Sequence, residues 1–377
     1  MSLLILNAFL LTILVLLINN KKSRNNGFLF SVIFVVLLYL HSCINPNTME
    51  DLPRYCDSFR QWANMALEDI LVTYRKTEYA FLILNWFVSL FTDNFGMFLL
   101  VESFIMMLCY YIWCFKYSPY IMLSLLLMLL LTFNQSIFVL RQHLAIAITL
   151  LSYPYILNRK MIPYLCICGL AFFMHHSSIV WLPVYFFYSL KSRKKTIVLL
   201  VGLTFLVSYS VGHVGMLNED LDLGYDSYIT GNKVGTSNLV EFFINIAIFA
   251  MYIFALKQKA LDEGLYKLLT ILLLLSVVGA FLGTSISTLT RLLLYYKVAV
   301  ILAIPVTILH LKSNFVKVLY VSICLLIFAY VTFWGSTSIY YIRMSYLDPS
   351  DVFVLVSVFS YFLISYIYKK IKVYDYK

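Results

Sequence analysis

Apolar residues run along this chain in blocks mostly of about 17 to 22, the length of helix that crosses a hydrocarbon core about 30 Å thick, with short polar segments between them. Each block predicts a membrane span. They fall near 2 to 18, 27 to 44, 94 to 115, 119 to 133, 138 to 157, 161 to 174, 178 to 190, 196 to 212, 239 to 256, 266 to 285, 288 to 310, 315 to 334 and 350 to 368. The pattern predicts an all-α polytopic membrane protein of about 13 helices, within bounds of 12 to 14, as a single integral-membrane domain over residues 1 to 377.

One block resists this map. Residues 78 to 92, EYAFLILNWFVSLFT, are apolar enough to look like a span, yet counting them reverses every later loop. Being short and headed by a charge, they predict a re-entrant or interfacial helix. The segments 161 to 174 and 178 to 190 are also short; as one tilted helix they would place a His pair at mid-membrane. Residues 2 to 18 lack a basic n-region and a small-residue cleavage site, and Lys21 and Lys22 follow rather than precede them. That block reads as a retained first span with its N-terminus outside.

Composition agrees with the pattern, at 62% hydrophobic and 12% charged residues, well outside the soluble range. The net charge of +10 does not point to nucleic acid, because the basic residues lie in short clusters between apolar blocks: Lys21, Lys22 and Arg24, or Lys191, Arg193, Lys194 and Lys195. Such clusters orient spans. They place KKSR, NRK at 158 to 160, KSRKK, the loop from Lys257 to Lys267, the loop from Lys312 to Lys317 and the C-terminal tail in the cytoplasm. The acidic or mixed loops at 45 to 77, 213 to 238 and 335 to 349 become external. The seven cysteines fall mostly inside apolar blocks and form neither a disulfide framework nor a metal spacing.

Arg141 and Gln142 interrupt the block FNQSIFVLRQHLAIAITLL. An arginine there costs about 2.5 to 3.5 kcal/mol on insertion scales unless water or an anion partners it, which marks it as a candidate site. On the map Arg141 lies at the outer end of its span, Arg291 follows the outer end of another, and Arg343 lies in the last external loop beside Tyr340 and Tyr341. Arg54, Arg60 and Arg75 belong to the first large external loop. A planar guanidinium donates two parallel hydrogen bonds to phosphate oxygens and stays ionised in low dielectric, so a lipid-linked pyrophosphate is the anion this face suits. The alternative for Arg141 is a snorkelling or structurally paired side chain, with Glu102 as partner.

The pair His175 and His176 returns to the same face. A neutral imidazole can take a proton from a sugar hydroxyl, which glycosyl transfer requires of a general base. A hydrogen-bonded structural histidine is the alternative. No His and carboxylate cluster has metal-ligand spacing, so neither a metal nor another cofactor is expected.

The string RQHLAIAI, followed about thirty residues later by HHSSIVWLP, resembles the RQxxA and FHxSAxxxLP motifs of the EpsG family of Wzy-like polysaccharide polymerases, and the match falls on His175 with Ser177. Met174 departs from it, standing where the family has Phe. Asp51 with Tyr55, and Glu78 opening EYAFLILNWF, are similar to the family's early acidic and aromatic positions; Arg291 with Tyr295 and Tyr296 suits its late basic position. The resemblance implies a GT-C-like glycosyltransferase of the bacterial plasma membrane, serving O-antigen, capsule or exopolysaccharide synthesis. Its substrates would be donor and acceptor repeat units on undecaprenyl pyrophosphate in the outer leaflet of the lipid bilayer, with a flippase and a chain-length regulator as partners. Arg141 with Gln142, Arg291 and Arg343 would hold pyrophosphate. His175 would activate the acceptor hydroxyl, or alternatively Glu78 or Asp51 would. Tyr55, Trp62, Tyr225, Tyr228, Tyr340 and Tyr341 are candidates for stacking on sugars, against the alternative that they form interfacial belts.

Two other classes fit the composition. A lipid-linked oligosaccharide flippase would need polar residues along a path through both leaflets, whereas the unusual charges here gather at one face. A membrane O-acyltransferase would use a His and Arg near a cytoplasmic acyl thioester, and no acyltransferase motif is visible.

Overall fold

The computed structural model of the protein describes residues 51 to 190 and 236 to 334, apart from 76, 137 to 138, 257 to 260, 262 to 263 and 284 to 286. The spans expected at 2 to 18, 27 to 44, 196 to 212 and 350 to 368 lie outside the described residues, as do the loop at 335 to 349 and most of that at 213 to 238. Among the described residues every regular element is a helix. Three helices, Phe95–Tyr117, Gly264–Gly283 and Arg291–His310, are long and apolar enough to cross a bilayer. Among the described residues the fold is all-helical, and its long apolar helices are those of a membrane protein.

The chain divides into two compact units, one of Met1–Ser152, Cys166–His176 and Asn314–Lys377, the other of Tyr153–Leu165 and Ser177–Ser313. In the first, α1 (Leu52–Trp62), α2 (Leu67–Thr73) and α3 (Tyr79–Ser89) precede the long α4 (Phe95–Tyr117). α1 opens with a proline in its first turn, where the missing N–H is not needed. Its Phe59 meets Phe95 and Phe98 of α4 at ring-centroid distances of 6.0 and 5.4 Å, and Phe81 of α3 meets Phe98 at 5.9 Å. This aromatic cluster is buried and locks α1 and α3 to the first turn of α4. α4 is capped by Asn94, whose side chain accepts from Gly96 N at 2.8 Å.

α3 is the element expected to be interfacial or re-entrant. It has 11 residues, about 16 Å of helix, which is half of what a crossing takes. Phe81, Leu82, Asn85 and Val88 turn inward, while Tyr79, Ile83 and Phe87, followed by Leu90 and Phe91, form an exposed apolar stripe at helical spacing.

The spans expected at 119 to 133 and 138 to 157 contain interruptions that hydropathy does not see. α5 (Ile121–Met128) widens into a π turn at Leu129–Phe133 and ends in the single turn Asn134–Ser136. A new helix, α6 (Leu140–Leu150), starts after Val139, which lies outside helical geometry, and α7 (Tyr153–Leu157) follows in the second unit. α8 (Met161–Met174) matches the expected 161 to 174. The 178 to 190 block is not one span: the 3-10 segment His176–Trp181 precedes a short α9 (Pro183–Ser189), because Pro183 has no N–H to continue a helix.

The second unit contains α10 (Thr236–Ala255), α11 (Gly264–Gly283), α12 (Ser287–Lys297) and α13 (Val300–His310). α11 packs between α10 and α12. At Gly279 a Cβ would fall 1.7 Å from Leu293 Cδ2, so any larger residue there would push the Leu293 side chain aside where α11 meets α12. Ser276 Oγ donates to Asn245 Oδ1 at 2.7 Å, and Lys297 pairs with Glu241 at 2.7 Å, which satisfies polar groups between apolar helices. Lys267 Nζ donates to Leu190 O at 2.7 Å, closing the end of α9. α14 (Asn314–Trp334) returns the chain to the first unit.

Candidate active site

Three helix ends of the first unit converge on one carboxylate. Glu78 stands at the N-terminus of α3, Arg141 is the second residue of α6, and His175 follows the last residue of α8. Glu78 Oε2 accepts from Arg141 Nη1 at 2.6 Å, and its Oε1 lies 2.5 Å from His175 Nδ1. The backbone N–H of His176 adds a longer bond to Oε1, 3.4 Å. A carboxylate suits a helix N-terminus, whereas a cation in the first turn of α6 opposes the helix dipole. Arg141 is therefore held there by Glu78 rather than by its own helix.

Exposure sets the roles apart. The Glu78 side chain is 4% exposed, against 30% for Arg141 and 25% for His175. The carboxylate forms a floor, with the arginine and the histidine reaching out from it. Burial by itself would raise the Glu78 carboxyl; the hydrogen bond from His175 and the charge of Arg141 outweigh it and hold the group at about 2. Glu78 is thus ionised and only accepts, so His175 Nδ1 carries the hydrogen, and in the neutral ring Nε2 is the nitrogen that holds the lone pair.

Aromatic rings support the guanidinium. Arg141 Nε donates to the Tyr55 hydroxyl at 3.3 Å, and Arg141 Cζ lies 5.6 Å from the Tyr55 ring centre and 5.8 Å from that of Phe81. Tyr55 and Phe81 meet edge to face at 5.7 Å. Glu78 and Tyr55 occupy Nη1 and Nε; Nη2 has no partner among the described residues.

The geometry brings together Arg141, His175, Glu78 and Tyr55 from the sequence candidates. The structural partner of Arg141 is Glu78 and not Glu102, which is fully buried in α4. Gln142 is buried in α6 beside Arg141, and Asp51 precedes α1, its carbonyl accepting from Tyr55 N at 3.3 Å. Trp62 is a core residue, 4% exposed and edge-on to Tyr74 at 5.3 Å, which leaves its ring no open face for a sugar. Tyr225, Tyr228, Tyr340, Tyr341 and Arg343 lie outside the described residues. His176 is 56% exposed, its ring 4.9 Å from Phe172.

Arg291 lies in α12 of the second unit and is exposed. One turn further on, Tyr295 bonds Ser177 through hydroxyls 3.0 Å apart, and Tyr296 donates to Val180 O. Trp181 stacks between Tyr153 and Tyr296, and Tyr164 donates to Trp181 O at 2.6 Å. The segment after the His pair is therefore clasped by four tyrosines from three helices, which gives Ser177 of the HxS pattern a physical task. Ser177 and Tyr295 stand out separately in the sequence, and nothing in the local pattern links residues 118 apart. Phe81 was not legible as a support for Arg141, since it reads as one apolar residue among many.

The EpsG family model matches residues 27–347 of the chain. Neither a curated protein nor a solved structure matches it.

Proposed function

The chain belongs to the EpsG family, and on that premise we propose that it is a polysaccharide repeat-unit polymerase. On this reading it moves a growing glycan from undecaprenyl pyrophosphate onto the non-reducing end of a second lipid-linked repeat unit. The observation that supports it is the Glu78 carboxylate holding an arginine with one oxygen and a histidine with the other. A glycosyl transfer from a pyrophosphate needs both: a fixed cation for the leaving group and an oriented base for the acceptor.

The acceptor hydroxyl oxygen bonds to the anomeric carbon of the donor glycan as the bond from that carbon to pyrophosphate breaks. The hydroxyl proton passes to His175 Nε2, and the bonding electron pair leaves with undecaprenyl pyrophosphate. Arg141, presenting Nη2, stands against the charge that collects on the leaving group. Before transfer Glu78 balances Arg141; after it, the same carboxylate faces a protonated His175 and stabilises the imidazolium in a poorly solvated setting. Glu78 is a positioning residue here, because its oxygens are engaged and it is buried beneath the two groups that reach outward. Arg291 and Arg343 are further pyrophosphate ligands on the strength of the sequence pattern, with Gln142 beside Arg141.

The same reading places the chain in the bacterial plasma membrane with thirteen crossings, the N-terminus outside and the C-terminus cytoplasmic. The loops at 45 to 77, 213 to 238 and 335 to 349 then face the outer leaflet, where the lipid-linked units, a flippase and a chain-length regulator meet. Deleting the gene and sizing the surface polysaccharide tests the function: a lost polymerase leaves single repeat units at the surface, whereas a lost flippase leaves none exported.

A further inference from the structure

Tyr55 was a candidate platform for a sugar ring, but its ring is already engaged. The guanidinium of Arg141 lies 5.6 Å from its centre, and Phe81 meets it edge to face at 5.7 Å. Its hydroxyl is the free part. The oxygen accepts from Arg141 Nε at 3.3 Å, and the O–H hydrogen has no acceptor among the described residues. Arg141 likewise keeps Nη2 without a partner there. Two donors without an acceptor among the described residues, a phenol O–H and a guanidinium N–H, therefore sit side by side above the buried Glu78, and a group rich in acceptor oxygens satisfies both at once.

We propose that Tyr55 binds the pyrophosphate of the lipid-linked substrate through its phenolic hydroxyl, forming with Arg141 a two-donor clamp. The assignment rests on the polymerase reading and deepens it. Tyr55 then shares the anion with Arg141, while Glu78, on the far side of the guanidinium fork, holds that fork in place. Burial pushes the Tyr55 phenol up, against the opposing effect of Arg141, which keeps it protonated and able to donate.

The test uses inorganic pyrophosphate as inhibitor of polymerisation by the purified full-length protein in lipid nanodiscs, with lipid-linked repeat units as substrate. Tyr55→Phe keeps the ring and its contacts and removes only the donor. It should need about 10- to 100-fold more pyrophosphate for the same inhibition, the size of one hydrogen bond to a charged group. Difluorotyrosine at position 55, a stronger donor while protonated, should tighten inhibition at low pH and weaken it as the phenol ionises. A hydroxyl with a merely structural role gives no such profile. Unchanged inhibition in Tyr55→Phe, with inhibition lost in Arg141→Lys, overturns the Tyr55 assignment and leaves the polymerase reading standing. Wild-type protein that polymerises but ignores pyrophosphate removes the anion clamp altogether, and wild-type protein that makes no polymer removes the reading beneath it.

Discussion

Glu78 Oε1 sits 2.5 Å from His175 Nδ1, and this contact decides which nitrogen of the imidazole is left to act. In the neutral ring the lone pair lies on Nε2, on the side away from the carboxylate. His175→Ala should therefore lose about 10² to 10⁴ in polymerisation rate, the usual size of a general-base contribution. His176, which touches Glu78 closely only through its backbone, should tolerate Ala. Initial rates of the two purified variants on lipid-linked repeat units compare them, and equal loss from both would move the base elsewhere.

Glu78→Gln should do two kinds of damage. It frees the tautomer of His175 and leaves Arg141 without its counter-charge, so activity should fall about as far as in His175→Ala, and stability should fall by roughly 3 to 5 kcal/mol for breaking a buried pair. The double variant Glu78→Gln with His175→Ala should be scarcely slower than either single one, since both remove the same function. Fully additive losses in that cycle would mean that Glu78 acts independently of the histidine.

The pH dependence of stability follows from the sign of the Glu78 shift. Its carboxyl is depressed from an ordinary 4.5 to about 2 in the folded protein, so the stability it contributes is fully present above 4.5 and is lost as pH falls through about 2. The difference in unfolding temperature between wild type and Glu78→Gln should shrink progressively as pH falls below about 4.5. A difference that is the same at pH 3 as at pH 5 contradicts an ionised Glu78 held by Arg141 and His175.

The members of this cluster are legible one by one in the sequence. Arg141 stood out because a guanidinium in an apolar block is costly, His175 because of its place in HHSSIVWLP, and Glu78 because it opens an apolar block. Their joint geometry was not visible, since Glu78 is 63 residues from Arg141 and 97 from His175, and no local period links them. The nearer guess for a partner, Glu102, is fully buried inside α4, and the carboxylate that meets Arg141 is that of Glu78. Composition also calls for continuous α-helical spans where the backbone leaves helical geometry at Val139 before α6 and changes from 3-10 to α geometry at Pro183 before α9. Hydropathy averages over such breaks, whereas backbone geometry does not. Tyr55 was marked for its ring, and its hydroxyl gained meaning only once Arg141 was placed beside it.

The orientation of the chain is open to a direct check with single cysteines at positions 51, 194, 225 and 340, in a protein from which the native cysteines have been removed. An impermeant thiol reagent on whole cells should label 51, 225 and 340 and spare 194. Labelling at 194 with none at 225 reverses the map and would mean that residues 78 to 92 cross the membrane.

The most direct measurement is polymerisation by purified protein in nanodiscs supplied only with undecaprenyl-pyrophosphate-linked repeat units, comparing wild type with Arg141→Lys. An ammonium keeps the charge but cannot hold Glu78, the Tyr55 hydroxyl and a phosphate oxygen with one planar fork. Wild type should convert single units into a ladder of longer glycans, and well-folded Arg141→Lys should leave nearly all of them as single units; a normal ladder from Arg141→Lys, or no ladder from wild type, contradicts a polymerase built on Arg141, Glu78 and His175.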